Sequence, residues 1–151
     1  MSEYHQRIPC NGSMETDRDL ENEQEIKRRF EENYNCTLTK QNKYDPMDFI
    51  ASQHDKAVCW VEMRRRNIKT TTYRELYFGL NKFNQLSCAC LCLGIPCILI
   101  VTMNDGVRWI DLTQIEDPEI TEASRGDVAV TRSTDNEPCI LIPISDMKVF
   151  R

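Results

Sequence analysis

AVCWVEMRRR, residues Ala57–Arg66, reads as one β-strand that starts apolar and ends charged. Ala57 to Val61 is an unbroken apolar run, the pattern of a strand covered on both faces. Glu62 and Arg64 follow two residues apart, so strand alternation puts both side chains on one face. A carboxylate at the end of a core strand is costly unless a charge pairs with it or a reaction uses it. Arg64 is the structural partner at hand. Upstream, Tyr44–Ala51 (YDPMDFIA) reads as a second strand containing Asp48, with Pro46 confining its start to an edge or a bulge. The order Asp48…Glu62-x-Arg64 is the lead.

Working outward, Gln53-His54-Asp55-Lys56 is a polar turn, and strands joined by so short a connection are antiparallel. Cys36–Lys40 (CTLTK) reads as a further strand. Asp17–Asn33 reads as a helix, with Glu21, Glu23 and Glu25 early and Lys27, Arg28 and Arg29 after them, as the helix dipole favours. Its apolar stripe is thin: Leu20, Ile26 and Phe30. Glu23 lies three residues before Ile26, on the inward side, either as a solvated rim or as a further acid facing the site. Residues 1–16 lack periodicity and are expected to form a flexible arm, leaving 17–151 as a single domain.

Downstream, Thr72–Leu93 reads as the strongest helix of the chain. Thr72-x-x-Glu75 matches a capping box, and Tyr73, Leu76, Leu80, Phe83, Ser87 and Cys90 recur at three- and four-residue spacing. Gly94 and Pro96 close it. Cys97–Met103 (CILIVTM) is a buried strand, Asn104-Asp105-Gly106 a tight turn and Val107–Leu112 the hairpin partner. Residues 113–137 are acidic and aperiodic, a long loop with a short helix around Asp117–Ala123. Cys139–Ile144 (CILIPI) supplies a last strand and Asp146–Arg151 a tail. A helix joining two apolar strands makes those strands parallel neighbours. The expected fold is α/β, a central mixed sheet flanked by helices.

Composition narrows the function classes. No apolar run approaches the ~20 residues of a bilayer span, and MSEYHQRIPCNGSMETDRD lacks the apolar core of a signal peptide. A cytoplasmic protein without membrane contact is expected. The net charge of −5 argues against binding nucleic acid by bulk attraction. Its distribution points the other way, because Lys56–Lys82 holds seven bases against two acids. An acidic protein with one basic stretch beside its candidate site suits a phosphate-bearing partner. Five of the eight cysteines (Cys59, Cys90, Cys92, Cys97, Cys139) lie in apolar runs, where a free thiol acts as a small hydrophobe. In Cys88-Ala89-Cys90-Leu91-Cys92, helical spacing sends Cys90 away from the other two and no nearby His completes a tetrahedral set, so buried thiols are expected. Trp60 and Trp109 are expected in the core. Asp45, before proline, is expected to form a turn.

Hydrolysing a phosphodiester needs a nucleophilic water and a neutralised leaving oxygen, and Mg²⁺ held by one or two carboxylates supplies both. Asp48 and Glu62, on paired strands, can converge on one ion, with the main-chain carbonyl of Met63 as a further ligand. Arg64 would stand beside it to stabilise charge.

KYDPMDFIA (43–51), AVCWVEMRRRN (57–67), YRELYFGLNKF (73–83) and GIPCILIVTMNDGVRWIDL (94–112) together resemble the PD-(D/E)xK, restriction-endonuclease-like nuclease superfamily, and its small phage-encoded members in particular. SRGD…EPCILIPI is similar to their C-terminal segment, and the resemblance covers roughly residues 20–145. It implies an α-β-β-β-α-β-β core, one or two Mg²⁺ or Mn²⁺ ions, and cleavage of DNA or RNA. DNA is the expected partner, in phage DNA processing, recombination or repair in the host cytoplasm. Superfamily members often dimerise, so a homodimer is compatible. Carried over, Asp48 and Glu62 would be metal ligands, with Glu23 as a candidate third. Arg64 would take the lysine position, Arg66 would be the second base and Lys82 the helical lysine. Arg65, Arg66, Lys69 and Arg74 are the expected nucleic-acid contacts. The departure is Arg64: arginine stabilises charge but cannot act as a base. Either electrostatics suffice, or Lys82 supplies the amine, or the fold serves as a non-catalytic module binding nucleic acid or protein.

Overall fold

Alternation along the Glu62 strand sets up both faces of the main sheet. A computed structural model describes residues 17–124 and 136–151. The expected arm at 1–16 and the middle of the acidic loop lie outside the described residues. The chain runs α1 (Asp17–Tyr34), β1 (Thr37–Lys40), β2 (Phe49–Gln53), β3 (Lys56–Arg65), β4 (Glu75–Gly79), α2 (Leu80–Leu93), β5 (Cys97–Met103) and β6 (Gly106–Asp111). β7 (Ile120–Ser124), β8 (Asn136–Pro143) and β9 (Lys148–Val149) follow. Six strands form one sheet in the order β1-β2-β3-β5-β6-β9, and β4-β8-β7 form a second. β3 and β5 are parallel from Trp60↔Cys97 to Arg65↔Thr102, and the other pairings are antiparallel. The expected mixed sheet and α-β-β-β-α-β-β order are present, with β4 added before α2.

Cys59, Val61 and Ile100 point to one face, where they pack with Ile26 and Phe30 of α1 and with Leu38, Phe49, Ala51 and Phe150. Leu99, Val101 and Met103 point to the other, against Phe83, Leu86 and Cys90 of α2 and Ile140 and Ile142 of β8. Burying each such side chain contributes about 1.5–3 kcal/mol, so the two clusters hold the helices on opposite sides of the sheet. Outside the cores, α1 ties its exposed side with Lys27–Glu31 at 3.1 Å and Arg28–Glu32 at 2.9 Å, pairs of the i,i+4 kind. α2 ends at Gly94, whose φ of +70° admits an N–H bond to the Cys90 carbonyl at 2.7 Å.

Several expectations need correction. The strand expected over Tyr44–Ala51 begins only at Phe49, because Asp45 and Asn42 fold the preceding residues into a turn. The expected helix Thr72–Leu93 is a helix only from Leu80. Its first part is β4, in which Leu76 and Phe78 are buried while Glu75 and Tyr77 are exposed. Leu76 and Leu80 satisfy a four-residue spacing and a two-residue one equally, and pairing with β8, from Glu75↔Pro143 to Gly79↔Cys139, decides for the strand. Thr72 caps no helix: its Oγ1 accepts from the Lys69 N–H at 3.0 Å and closes a turn. The expected short helix around Asp117–Ala123 is β7, paired with β8, and the expected tail contains β9 on the edge of β6. Finally, Ala57 and Val58 are exposed, so β3 is covered only from Cys59 onward. Cys88 and Cys92 are exposed as well, leaving Cys90 as the buried thiol of that run. Trp60 and Trp109 are partly buried against the two clusters.

Candidate active site

β2 and β3 are joined by a two-residue turn in which His54 and Asp55 both hold positive φ, +50° and +63°. The register set at the turn, Gln53↔Lys56 and Ser52↔Ala57, shifts by one residue between Ser52 and Ala51, and this irregularity sets the pairing farther along the strands. Phe49 pairs with Val61, so Asp48, one residue earlier, stands opposite Glu62. Asp48 Oδ2 accepts a hydrogen bond from the Met63 N–H at 2.9 Å, which pins the carboxylate to β3. The contact from Met63 is through its N–H rather than its carbonyl. Asp45 instead accepts from the Asn42 N–H at 3.2 Å, as a turn-former does.

Glu62 is the one buried charged residue among those described, at 2% exposure. Trp60, Glu62 and Arg64 alternate with the α1-facing Cys59, Val61 and Met63, so Glu62 looks toward α2 and β4. Arg64 Nη2 lies 2.9 Å from Glu62 Oε2, and Lys82 Nζ of α2 lies 3.7 Å from the same oxygen. The other oxygen, Oε1, is buried without a hydrogen-bond partner, as is Arg64 Nε. The Arg64 guanidinium also lies over the Phe78 ring of β4, 5.2 Å from its centroid. Burial pushes the Glu62 carboxyl up to about 7; Arg64 and Lys82 act against the rise and the Asp48 charge adds to it. Desolvation outweighs two adjacent cations here.

The structure therefore brings together Asp48, Glu62, Arg64, Lys82 and the Met63 backbone. Glu23 Oε1 lies 2.7 Å from Nζ of Lys40, whose strand partner is Phe49, and no cluster of three or more potential metal-ligating side chains occurs among the described residues. The arginine triplet divides. Arg65 points to the α1 side, where Nη1 lies 3.4 Å from Asp19 Oδ1. Arg66 shares the Glu62 face; burial and the Arg64 charge pull its guanidinium below the usual value. Lys69 lies in an exposed turn whose neighbour Thr70 is bonded to Asp105. Arg74 is exposed just before β4. Phe78 was not anticipated at the site, and the alternation Leu76-Tyr77-Phe78 was the signal for it.

The family described as phage putative PDDEXK endonuclease matches residues 11–150. The chain belongs to this family. The PDDEXK assignment accounts for a buried acid on β3 facing an acid at the start of β2, and for the α-β-β-β-α-β order around them. Its description is that of a nuclease family. The solved structure of Archaeoglobus fulgidus Hjc, a Holliday junction resolvase from an archaeal hyperthermophile, is 12% identical over 83% of this chain and 94% of that chain, with a TM-score of 0.49. No curated protein matches the chain. No helix among the described residues is long and apolar enough to cross a membrane.

Proposed function

We propose that this PDDEXK-family chain is a divalent-metal-dependent nuclease that hydrolyses DNA, with Asp48 and Glu62 as its metal ligands. One observation carries this: a carboxylate at 2% exposure, facing a second acid, with one oxygen left without a partner. Burying an acid in that way is expensive unless something completes its coordination. Two carboxylates suit Mg²⁺ or Mn²⁺, which take oxygen ligands and fill the rest of their shell with water and substrate phosphate. When bound, such an ion supplies a more acidic water and neutralises charge on the phosphate.

The chain's own groups do the remainder. Glu62 must give up its proton to become a ligand, and its place beside Arg64 and Lys82 favours that form. Arg64, held by Glu62 and by the Phe78 ring, sets a guanidinium where it can stabilise charge developing on the phosphate. Lys82, 3.7 Å from Glu62 Oε2, is the second cation within reach. Phage DNA processing, recombination or repair in a host cytoplasm is the setting that fits, with a homodimer compatible with it.

The engagement of both cations by one Glu62 oxygen favours a second reading, a self-neutralised site that binds nucleic acid without cutting it. A panel of labelled single-stranded, duplex and branched DNA and RNA, incubated with Mg²⁺ or Mn²⁺, separates the two. Cleavage that Glu62→Gln abolishes supports the nuclease. Salt-sensitive binding without cleavage on any substrate supports the binding module.

A further inference from the structure

Between the turn at residues 42–46 and α2 lies an open cleft of about 780 Å³. Lys43, Tyr44, Lys82, Asn84 and Gln85 line it together with Asp45, Pro46 and Cys88, so two cations and two amides stand on a largely apolar surface that also carries one acid. Lys82 joins the cleft to the site, since the same ammonium lies 3.7 Å from Glu62. Tyr44 is 85% exposed, the most exposed large hydrophobic side chain among the described residues. Tyrosine rings usually bury most of their surface, so this one is left for something else to cover.

The ring does not hang on a loose loop. The Asp45 N–H donates to the Asn42 carbonyl at 3.0 Å, the Asn42 N–H to Asp45 Oδ2 at 3.2 Å, and the Tyr44 N–H to Asn42 Oδ1 at 3.2 Å. Three hydrogen bonds thus fix the backbone that presents Tyr44. Lys43 Nζ sits 5.2 Å from the ring centroid, which places a phosphate-binding charge beside a stacking surface.

Building on the nuclease reading above, we infer that this cleft holds an unpaired nucleotide of the substrate, its base stacked on Tyr44 and its phosphates met by Lys43 and Lys82. A base inside a duplex has both faces covered by its neighbours, so only an unpaired base offers a face to a tyrosine. Asn84 and Gln85, adjacent on α2, carry amide donors and acceptors suited to a base edge. The preferred substrate class is then single-stranded DNA, or a duplex carrying a flap, gap or branch, rather than a blunt duplex.

The test measures affinity in EDTA, so that nothing is cut, for a single strand, a flapped duplex and a blunt duplex of one sequence. Wild type is compared with Tyr44→Ala, Tyr44→Phe and Tyr44→Leu. Stacking predicts that Tyr44→Ala weakens single-strand and flap binding about tenfold, within the range measured for base–aromatic contacts. Blunt-duplex affinity should stay unchanged, Tyr44→Phe should keep wild-type binding, and Tyr44→Leu should not. Equal losses on all three ligands, or none, overturn the stacking site while leaving the nuclease reading intact. If wild type binds no nucleic acid at low salt in EDTA, the stacking site is overturned, and if it also cuts none with Mg²⁺ or Mn²⁺ the nuclease reading fails with it. Thermal melting checks the fold of each variant, and the exposure of Tyr44 predicts unchanged transitions.

Discussion

The two faces of β3 carry the same strand into opposite physical regimes. Toward α1, Cys59 and Val61 are buried among aliphatic and aromatic partners, and that face does nothing but stabilise. Toward α2, Trp60, Glu62 and Arg64 alternate with them and bring a carboxylate and a guanidinium into the protein, leaving Trp60 Nε1, Glu62 Oε1 and Arg64 Nε without partners. Three unsatisfied buried atoms at one spot cost stability. A single strand thus separates the part of the molecule optimised for folding from the part that sacrifices stability for chemistry.

The sharpest way to break that contrast is to change one residue on each face. Glu62→Gln should lower cleavage on the order of 10³-fold, since the metal's share of the barrier is several kcal/mol, while the protein stays folded. Measured turnover with Mn²⁺ near wild type would remove Glu62 from the reaction. Phe49→Ala, on the α1 face, should do the reverse. Denaturant unfolding should show a loss of about 3–5 kcal/mol, with metal affinity by calorimetry unchanged for the fraction that remains folded.

Arg64 tests whether the charged face needs a base or only a charge. Arg64→Lys should retain or raise activity. Arg64→Ala should lower it about 10²-fold, with metal affinity changed little because arginine ligates no ion. A large rate loss in Lys82→Ala would assign the role to the helical amine instead.

The smallest expected effect concerns pH and the metal-free protein. The folded Glu62 pKa of about 7 lies above its ordinary 4.5, so between those values the folded state binds more protons than the unfolded one. Stability from this group therefore falls as pH rises through that window and stays lower above it. Glu62→Gln should remove the slope and be roughly 1–3 kcal/mol more stable than wild type at pH 8 in EDTA. A variant less stable than wild type there would mean that the ion pair with Arg64 outweighs desolvation.

What could be read in the sequence follows the range of the interactions that decide each element. β5 and the core of β3 are apolar runs whose period and length speak for themselves, and Gly94 with Pro96 marks the end of α2 without help. The pairing of the strands that carry Asp48 and Glu62 was legible from the short polar turn between them, whereas the one-residue shift between Ala51 and Ser52 that sets Asp48 opposite Glu62 was not. β4 was not, because its strand state depends on β8, more than sixty residues later, and Leu76 and Leu80 fit both periodicities. Arg65 parts from its neighbours for a related reason. Alternation alone predicts that it leaves the face of Arg64 and Arg66, but only α1, from far upstream, supplies Asp19 to receive it. Glu23 was left open between rim and site, and the structure pairs it with Lys40 of β1.

The turn at His54-Asp55 has a further consequence, in the order of folding events. Asp48 and Glu62 lie on one hairpin, fourteen residues apart, so their meeting requires only local closure, which in isolated hairpins takes ~1–10 μs. Lys82 and Phe78 reach Glu62 only when α2 and the β4–β8 pairing are in place, contacts that carry a larger loop-closure cost. Folding is therefore expected to bring the two like charges together before their counter-charges arrive. Divalent ions present during refolding should accelerate hairpin formation, and acid, by protonating the pair, should do the same without them.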